Sequence, residues 1–283
     1  MHPLSLSAEQ QLQFLDQGYL VLPGFKAPAA LHTAIQRAHQ IVDEFDPQAG
    51  ASRFSTRDRS LVADARLIES ATAVRCFFEE EALDDNGALL VPKSQSINKI
   101  GHALHDLDPV FADFSHGPAL AALAQDLGLQ APQVWQSQLI FKQPRIGGEV
   151  GWHQDATFFV TTPHTVTTFW FALEEAKLDN GCLRVQPGGH RSPLREQYIC
   201  EGGQLRMKTL DTTPWPQTSS ALPLSVAAGT LVVFHGLLPH YSAANRSARS
   251  RLAYTLHVTD GRAAYSPQNW LQRQADFPAR GLA

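Results

Sequence analysis

Apolar residues in the N-terminal part of the chain recur with the period of an α-helix. Residues 28–45 carry their apolar side chains on one helical face, and residues 118–128 repeat this spacing and end in a glycine. A shorter helix is predicted after Ser7, which forms a capping-box pattern with Gln10, and Gly18 is a suitable stop before a short strand. The first part of the chain is therefore predicted to be helical.

The pattern changes at Val134, where short runs of β-branched and aromatic residues alternate with Gly, Pro and Asn turns. These runs are VWQSQLIFKQP, TVTTFWFALEEA, GCLRVQP, TLVVFHGLLPH and RLAYTLHVTD. Asn180 and Gly181 predict a hairpin turn between two of them. Residues 46–65 are polar and aperiodic, and we interpret them as a loop. Helices followed by many short strands are typical of a helix-buttressed β-sandwich or jelly roll.

The 283 residues contain no internal repeat and no linker rich in Pro, Gly or Ser. This length fits one large or two small domains, and single β-barrel domains with added helices commonly reach it. We therefore predict one domain over residues 1–283, with helices mostly in residues 1–130 and the β core at about residues 134–260.

Composition and charge narrow the class of partner. The net charge is −4 and no block of Lys and Arg is present, which argues against binding to nucleic acid or a membrane surface. Cys76, Cys182 and Cys200 are odd in number and widely spaced, which argues against a disulfide framework and fits a reducing compartment. With no signal-peptide pattern and no long apolar run, we expect a cytoplasmic protein that binds a small molecule. The oligomeric state stays open.

The stretch GEVGWHQDATFF places His153 and Asp155 two residues apart. In an extended strand such side chains point to the same face, where an imidazole and a carboxylate can act as two ligands of one metal ion. Such a pair arises readily by chance in a chain with 12 histidines, so a third ligand on a later strand is needed. Candidates are His164, His190, His235, His240 and His257.

The segment after His240 adds a cation to this pattern. Alternation along residues 251–258 places Arg251 and His257 on the face opposite an apolar core face. A buried arginine is costly unless an anion meets it, and its planar donors match a carboxylate. Two histidines, one carboxylate and an inward arginine on a β scaffold match the facial triad of non-haem Fe(II) oxygenases, in which a 2-oxo acid and dioxygen can take the open positions.

Several stretches resemble the phytanoyl-CoA dioxygenase family: SINKIGHALH, IFKQPRIGGEVGWHQDATFF, DNGCLRVQPGGH, LPHYSAANRSARSRLAYTLH and SPQNWL. The resemblance runs from LDQGYLVLPGF to SPQNWL and is weakest at residues 46–65 and 193–222. It implies a mainly β fold with flanking helices around a double-stranded β-helix (jelly roll) core. It also implies Fe(II) as cofactor, with 2-oxoglutarate and O2 as co-substrates.

The resemblance further implies which residues act. The iron ligands correspond to His153, Asp155 and His240, and the co-substrate contacts correspond to Lys99, Gln138, Trp170, Ser242 and Arg251. Arg251, with Lys99 or Ser242, would anchor the 5-carboxylate of 2-oxoglutarate. Gln138 stands where a relative in this family has methionine, so the packing beside the co-substrate is expected to differ. Gly151-Trp152 stand where that relative has Ser-Pro, so the shape of the substrate pocket is also expected to differ.

The predicted function is an Fe(II)- and 2-oxoglutarate-dependent dioxygenase, an oxidoreductase that hydroxylates a small organic molecule and releases succinate and CO2. One alternative is a cupin-like enzyme using another divalent metal, but such chemistry does not need the dicarboxylate anchor that Arg251 and Lys99 would form. The other is a non-catalytic ligand-binding protein of the same fold, against which the intact triad argues.

Several residues carry a second interpretation. Lys99 is also consistent with a solvated charge, and Trp170 with a core position. His102 and His105, three residues apart, could share a helical face and are interpreted as a polar pocket wall or as structural residues. His257 is expected near the co-substrate without being a ligand. The pocket walls are predicted to come from residues 46–65, 93–105, 152–164 and 193–222.

Overall fold

The computed structural model describes residues 5–47, 52–54 and 65–283. The α-helices in this part of the chain are α1 (Ala8–Gln17), α2 (Pro28–Glu44), α3 (Ala65–Glu69), α4 (Leu104–Leu107), α5 (Pro109–Ser115) and α6 (Pro118–Asp126). Helix α1 begins after Ser7, which forms the predicted capping box with Gln10, and it ends at Gly18 in the left-handed region. None of the helices in the described ranges is long and apolar enough to cross a membrane.

The strands in the described residues form two main sheets and two short antiparallel pairs. The strands are β1 (Tyr19–Leu22), β2 (Ser52–Phe54), β3 (Val74–Glu79), β4 (Ile97–His102), β5 (Pro132–Lys142), β6 (Val150–His153), β7 (Thr161–Thr162), β8 (Thr167–Ala172), β9 (Leu183–Val185), β10 (Glu196–Glu201), β11 (Gln204–Thr209), β12 (Leu222–Leu224), β13 (Leu231–His235), β14 (His240–Ser242), β15 (Arg251–Asp260), β16 (Ala264–Tyr265) and β17 (Arg280–Gly281). The large sheet has the order β1-β13-β8-β15-β5-β4-β3-β2, with β17 also paired to β5. The small sheet has the order β12-β9-β14-β6, and the two short pairs are β10-β11 and β7-β16.

From β5 onward the chain passes back and forth between the two main sheets. Strands β5, β8, β13 and β15 lie side by side in the large sheet, and β6, β9, β12 and β14 form the small one. This arrangement of antiparallel strands is a double-stranded β-helix, so the predicted fold class is confirmed.

Strand β15 separates two hydrophobic cores. Leu252, Tyr254, Leu256 and Val258 pack into the core between the large sheet and helices α1, α2, α5 and α6. Ala253, on the other face, packs into the core between the two sheets together with Trp170 and Val232. The alternation predicted for β15 is therefore confirmed, and its second face looks into the barrel, where the functional residues lie.

The structure differs from the sequence interpretation at several elements. β3 and β4 were not predicted and extend the large sheet with residues from the first half of the chain. β2 lies inside the segment interpreted as a loop, and most of the rest of that segment lies outside the described residues. The predicted hairpin at Asn180-Gly181 is wrong, because β8 and β9 belong to different sheets. Asn180 instead donates to the backbone carbonyls of Glu175 and Ser250, which turns the chain from one sheet to the other.

Candidate metal centre

Two neighbouring strands of the small sheet bring three ligand-type side chains together. His240 on β14 lies directly opposite His153 on β6. Asp155 follows β6 and begins a short 3-10 turn, which points its carboxylate between the two imidazoles. Asp155 Oδ1 is 3.5 Å from His153 Nε2 and 3.6 Å from His240 Nε2. One potential ligand atom of each residue lies within 4.8 Å of the other two, so this group can hold a metal ion.

Backbone contacts orient both imidazoles. His153 Nδ1 is 2.8 Å from the carbonyl oxygen of Gly151, and His240 Nδ1 is 3.0 Å from that of Leu238. A carbonyl can only accept, so each Nδ1 carries a hydrogen, and Nε2 is the atom that has a lone pair for a metal when the ring is neutral. Burial, followed by the neighbouring His153, lowers the pKa of His240 to about 4. His240 is therefore neutral near pH 7, as a metal ligand must be.

The second carboxylate oxygen of Asp155 is held by the large sheet. Thr168 Oγ1 on β8 donates to Asp155 Oδ2 across 2.5 Å, and His257 Nε2 on β15 lies 3.4 Å from the same oxygen. Burial alone would raise the pKa of Asp155, but the facing His240 and His257 side chains hold it well below its usual value. An ionised carboxylate and two imidazoles suit a divalent transition metal.

Arg251 provides a buried cation behind this cluster. Its side chain is 2% exposed, and Nη2 is 3.4 Å from the hydroxyl of Ser242. Among the described residues, its Nε and Nη1 atoms have no hydrogen-bond partner. The guanidinium carbon lies 5.6 Å from the centre of the Trp170 ring. Burial lowers the pKa of Arg251 to about 10, so it stays charged near pH 7 and its open donors fit a carboxylate.

Lys142 is a second buried cation that sequence reasoning missed. It lies opposite Arg251 in the pairing of β5 with β15. Its Nζ donates to the carbonyl oxygens of Gly148, of Ser242 at 3.2 Å and of Ala243 at 2.9 Å. These contacts satisfy the hydrogen-bond donors of Lys142 and fix the backbone at Ser242. We therefore assign Lys142 a structural role. The sequence could have indicated that Lys142 faces the site, because Lys142 is four residues after Gln138 and on the same face of β5.

A cavity of about 260 Å³ opens beside His153 and Asp155. Lys99 on β4 and Gln138 on β5 line it. Lys99 is half-buried, and burial lowers its pKa to about 7, which argues against the interpretation of this residue as a solvated charge. Gln138 lies opposite Thr255, which in turn lies opposite Trp170. Trp170 itself packs in the core between the sheets.

His102, His105 and His257 have two kinds of role. His102 ends β4 and lines the cavity, whereas His105 lies in α4, so the two do not share a helical face. His105 Nδ1 is 2.7 Å from Ser137 Oγ and Nε2 is 3.1 Å from Asp106 Oδ2, away from the cavity lining. His105 is therefore structural. His257 lines the cavity as expected and is not among the three clustered ligands.

The cavity walls come partly from the predicted segments. Residues of 93–105, 152–164 and 193–222 contribute, as do Leu67, Gln136, Ile140 and Trp270 from segments that were not predicted. The predicted contribution of residues 46–65 falls largely outside the described residues. Gln136 could have been predicted from the sequence to line the cavity, because it is two residues before Gln138 on the same strand face.

A double-stranded β-helix that carries a His-Asp-His cluster at one end of its small sheet defines the class of non-haem metal oxygenase folds. The sequence comparison is more specific. The family model described as phytanoyl-CoA dioxygenase (PhyH) matches residues 14–253. The chain therefore belongs to the phytanoyl-CoA dioxygenase family, and the resemblance seen in the sequence is confirmed.

Curated relatives match nearly the whole chain. Phytanoyl-CoA dioxygenase 1 from Oryza sativa subsp. japonica is 42% identical, with 97% of this chain and 97% of that protein covered. Phytanoyl-CoA dioxygenase domain-containing protein 1 from Rattus norvegicus is also 42% identical, with 96% of this chain and 97% of that protein covered.

Solved structures of low sequence identity share the fold. The epimerase SnoN in complex with Fe3+, alpha ketoglutarate and nogalamycin RO superposes with a TM-score of 0.63 at 16% identity, covering 97% of this chain and 92% of that one. EctD from S. alaskensis with 2-oxoglutarate and 5-hydroxyectoine superposes with a TM-score of 0.58 at 21% identity, covering 90% of this chain and 76% of that one.

Proposed function

We propose that the protein is an Fe(II)- and 2-oxoglutarate-dependent dioxygenase that hydroxylates a small organic molecule and releases succinate and CO2. The observation that carries the proposal is the buried Arg251, whose Nε and Nη1 atoms lack partners among the described residues. A buried guanidinium with open donors is costly unless an anion meets it. A dicarboxylate that reaches from the metal cluster to Arg251 would meet this requirement.

In this proposal, His153, Asp155 and His240 would hold Fe(II), with the two Nε2 atoms and one carboxylate oxygen as the available ligand atoms. The bound iron would supply dioxygen activation coupled to oxidation of 2-oxoglutarate. Arg251 and the hydroxyl of Ser242 would bind the 5-carboxylate of 2-oxoglutarate. Lys99 and Gln138 would contact the co-substrate from the cavity side, and Trp170 would pack beside it. The protein's contribution is position, charge neutralisation and exclusion of water.

The names of two curated relatives and the ligands of two solved structures support the same assignment. The rice and rat proteins carry phytanoyl-CoA dioxygenase names, and the solved complexes of SnoN and EctD contain 2-oxoglutarate, with Fe3+ also present in the SnoN complex. A cupin-like enzyme with another metal would not use the anion site at Arg251. A non-catalytic binding protein would not need two imidazoles and an ionised carboxylate held together at 3.5 Å and 3.6 Å.

The test is succinate formation by purified protein supplied with Fe(II), ascorbate, O2 and 2-oxoglutarate. We expect slow turnover without an added substrate, and loss of this turnover in His153→Ala, because the metal loses a ligand. His39→Ala changes an exposed histidine of α2 and serves as the matched control. Absence of succinate with Fe(II) in the wild-type protein, despite metal binding, would refute the proposal and favour the binding protein.

A further inference from the structure

The cavity beside the metal cluster has walls of two chemical kinds. The wall from β4 and β5 carries the hydrogen-bonding side chains of Asn98, His102, Gln136 and Gln138 beside the amino group of Lys99. The rest of the lining is largely aromatic or aliphatic and includes Trp152, Phe158, Tyr198, Leu205, Met207 and Trp270. A ligand that fills this space therefore needs both a polar edge and an apolar face.

The protonation of His102 follows from its neighbours. Ser70 Oγ donates its single hydrogen to the carbonyl of Leu67 at 2.6 Å, so it must accept from His102 Nδ1 at 2.7 Å. Burial, followed by the charge of Lys99, holds the pKa of His102 well below its usual value, and the ring is neutral. His102 thus has a hydrogen on Nδ1 and a lone pair on Nε2. The ring is 2% exposed and lines the cavity, so it presents a fixed hydrogen-bond acceptor there.

Gln136 supplies a matching donor and acceptor. It is 5% exposed and lines the cavity, and its side-chain amide makes no hydrogen bond within the described ranges of the chain. Gln136 lies opposite His257 in the pairing of β5 with β15, and His257 Nε2 is 3.4 Å from Asp155 Oδ2. The amide of Gln136 therefore lies on the strand next to His257, which contacts the metal ligand Asp155. A group bound by Gln136 would lie close to the reacting centre.

Charges in the lining do not favour a highly anionic ligand. Arg206 lines the cavity but pairs with the exposed Glu201, and Glu196 adds a negative charge to the lining. Lys99 is the other lysine or arginine in the lining formed by the described residues. Several phosphates, as in a coenzyme A thioester, call for a cluster of cations. The volume of about 260 Å³ also suits a compact molecule.

We propose that the substrate is a compact, flat, uncharged ring that carries adjacent N–H and C=O groups. This inference rests on the proposed dioxygenase function and names the substrate class for the same site. The ring face packs on the aromatic part of the lining, as flat π-systems do. The amide of Gln136 pairs with the N–H and C=O edge, and His102 Nε2 accepts a further hydrogen bond from the ring.

Binding to protein loaded with Zn(II) in place of iron tests this inference without turnover. Uracil, thymidine and hypoxanthine are titrated by calorimetry in the presence of 2-oxoglutarate, with myo-inositol and butyryl-CoA as comparison ligands. We expect a ring amide to bind best. His102→Phe and Gln136→Leu should each weaken that binding about 10-fold or more, because each leaves a ring group unpaired. Gln204→Leu, which changes an exposed glutamine of β11, should bind as wild type does.

The outcomes separate the inference from the function on which it rests. Succinate formation without binding of any ring amide overturns the inference and leaves the dioxygenase intact. Preferential binding of butyryl-CoA or myo-inositol also overturns it. Ring binding that depends on His102 and Gln136, without succinate formation, supports the site and rejects the dioxygenase. Should His102→Phe fail to fold, Gln136→Leu decides, and unchanged affinity in that variant counts against the proposal.

Discussion

Thr168 donates a hydrogen bond from its Oγ1 atom to Oδ2 of Asp155 across 2.5 Å, linking the large sheet to the metal cluster. His257 Nε2 lies 3.4 Å from the same oxygen. Because both neighbours face Oδ2, the other oxygen, Oδ1, is the one left between the two imidazoles. The large sheet thus sets the orientation of a ligand that the small sheet carries.

Thr168→Val should therefore weaken metal binding while keeping the shape of the side chain. Hydrogen-bond partners of metal ligands are typically worth about 10- to 100-fold in affinity, and we expect a loss of about 10-fold. Titration with Co(II), followed by its visible absorption, measures the affinity and reports the ligand geometry. Thr168→Ser keeps the hydroxyl and should restore both the metal affinity and the ligand geometry. Wild-type affinity in Thr168→Val would mean that His257 alone holds the carboxylate.

Arg251→Ala should weaken 2-oxoglutarate binding about 100-fold or more, because an anion in this site would lose its charge-assisted donors. Metal affinity should stay within about threefold of wild type, since Arg251 contacts none of the three metal-binding side chains directly. Calorimetric titration of 2-oxoglutarate into metal-loaded protein measures the first quantity, and Co(II) titration the second. Equal loss of both affinities would indicate that Arg251 supports the fold instead.

Local sequence patterns were sufficient to predict those elements that depend on residues close together in the chain. The capping box at Ser7, the stop at Gly18 and the alternation along β15 were predictable because each depends on neighbouring residues. Strand alternation likewise gave the face shared by Arg251 and His257. The triad and the co-substrate residues were assigned through family resemblance, because nothing local pairs His240 with His153 across 87 residues of chain.

Other features depend on contacts that no local pattern encodes. β3 and β4 are stabilised by pairing within the large sheet, so their short, mixed sequences did not predict strands. Thr168 carries no signal of its own, since its role exists only once β8 lies under Asp155. At Asn180-Gly181, the dipeptide favours a tight turn in general, but the side chain of Asn180 bonds to Ser250, 70 residues later. That distant contact is made where the chain passes from β8 in the large sheet to β9 in the small sheet.

Asn180→Ala should lower the free energy of unfolding by about 2 to 3 kcal/mol, because it leaves three partly buried backbone groups without their partner. The buried side chain donates to the carbonyls of Glu175 at 2.9 Å and Ser250 at 3.2 Å, and it accepts from the Lys177 N–H at 2.7 Å. Urea denaturation measures the change. Asn180→Asp keeps the acceptor but places a carboxylate oxygen against two carbonyl oxygens, so it should destabilise the protein at least as much as Asn180→Ala. A loss below about 0.5 kcal/mol in the alanine variant would show that water replaces these contacts.

Lys26 should make stability depend on alkaline pH. Its Nζ atom donates to the carbonyl of Phe114 at 2.5 Å and lies 4.2 Å from the centre of the Phe114 ring. Burial lowers the pKa of Lys26 to about 8 in the folded protein, whereas an unfolded lysine titrates near pH 10.4. Between these values the unfolded chain binds the proton that the native state has lost, so the native state gains stability as the pH rises.

Comparison of wild type with Lys26→Met isolates this effect from other titrating groups. We expect the stability of wild type relative to the variant to be lowest below about pH 8, to rise between about pH 8 and 10.4, and to level off above that range. Urea denaturation at several pH values measures both proteins under the same conditions. A difference that stays constant across this range would mean that Lys26 keeps its proton in the folded state and that its contact with the Phe114 carbonyl outweighs the cost of burial.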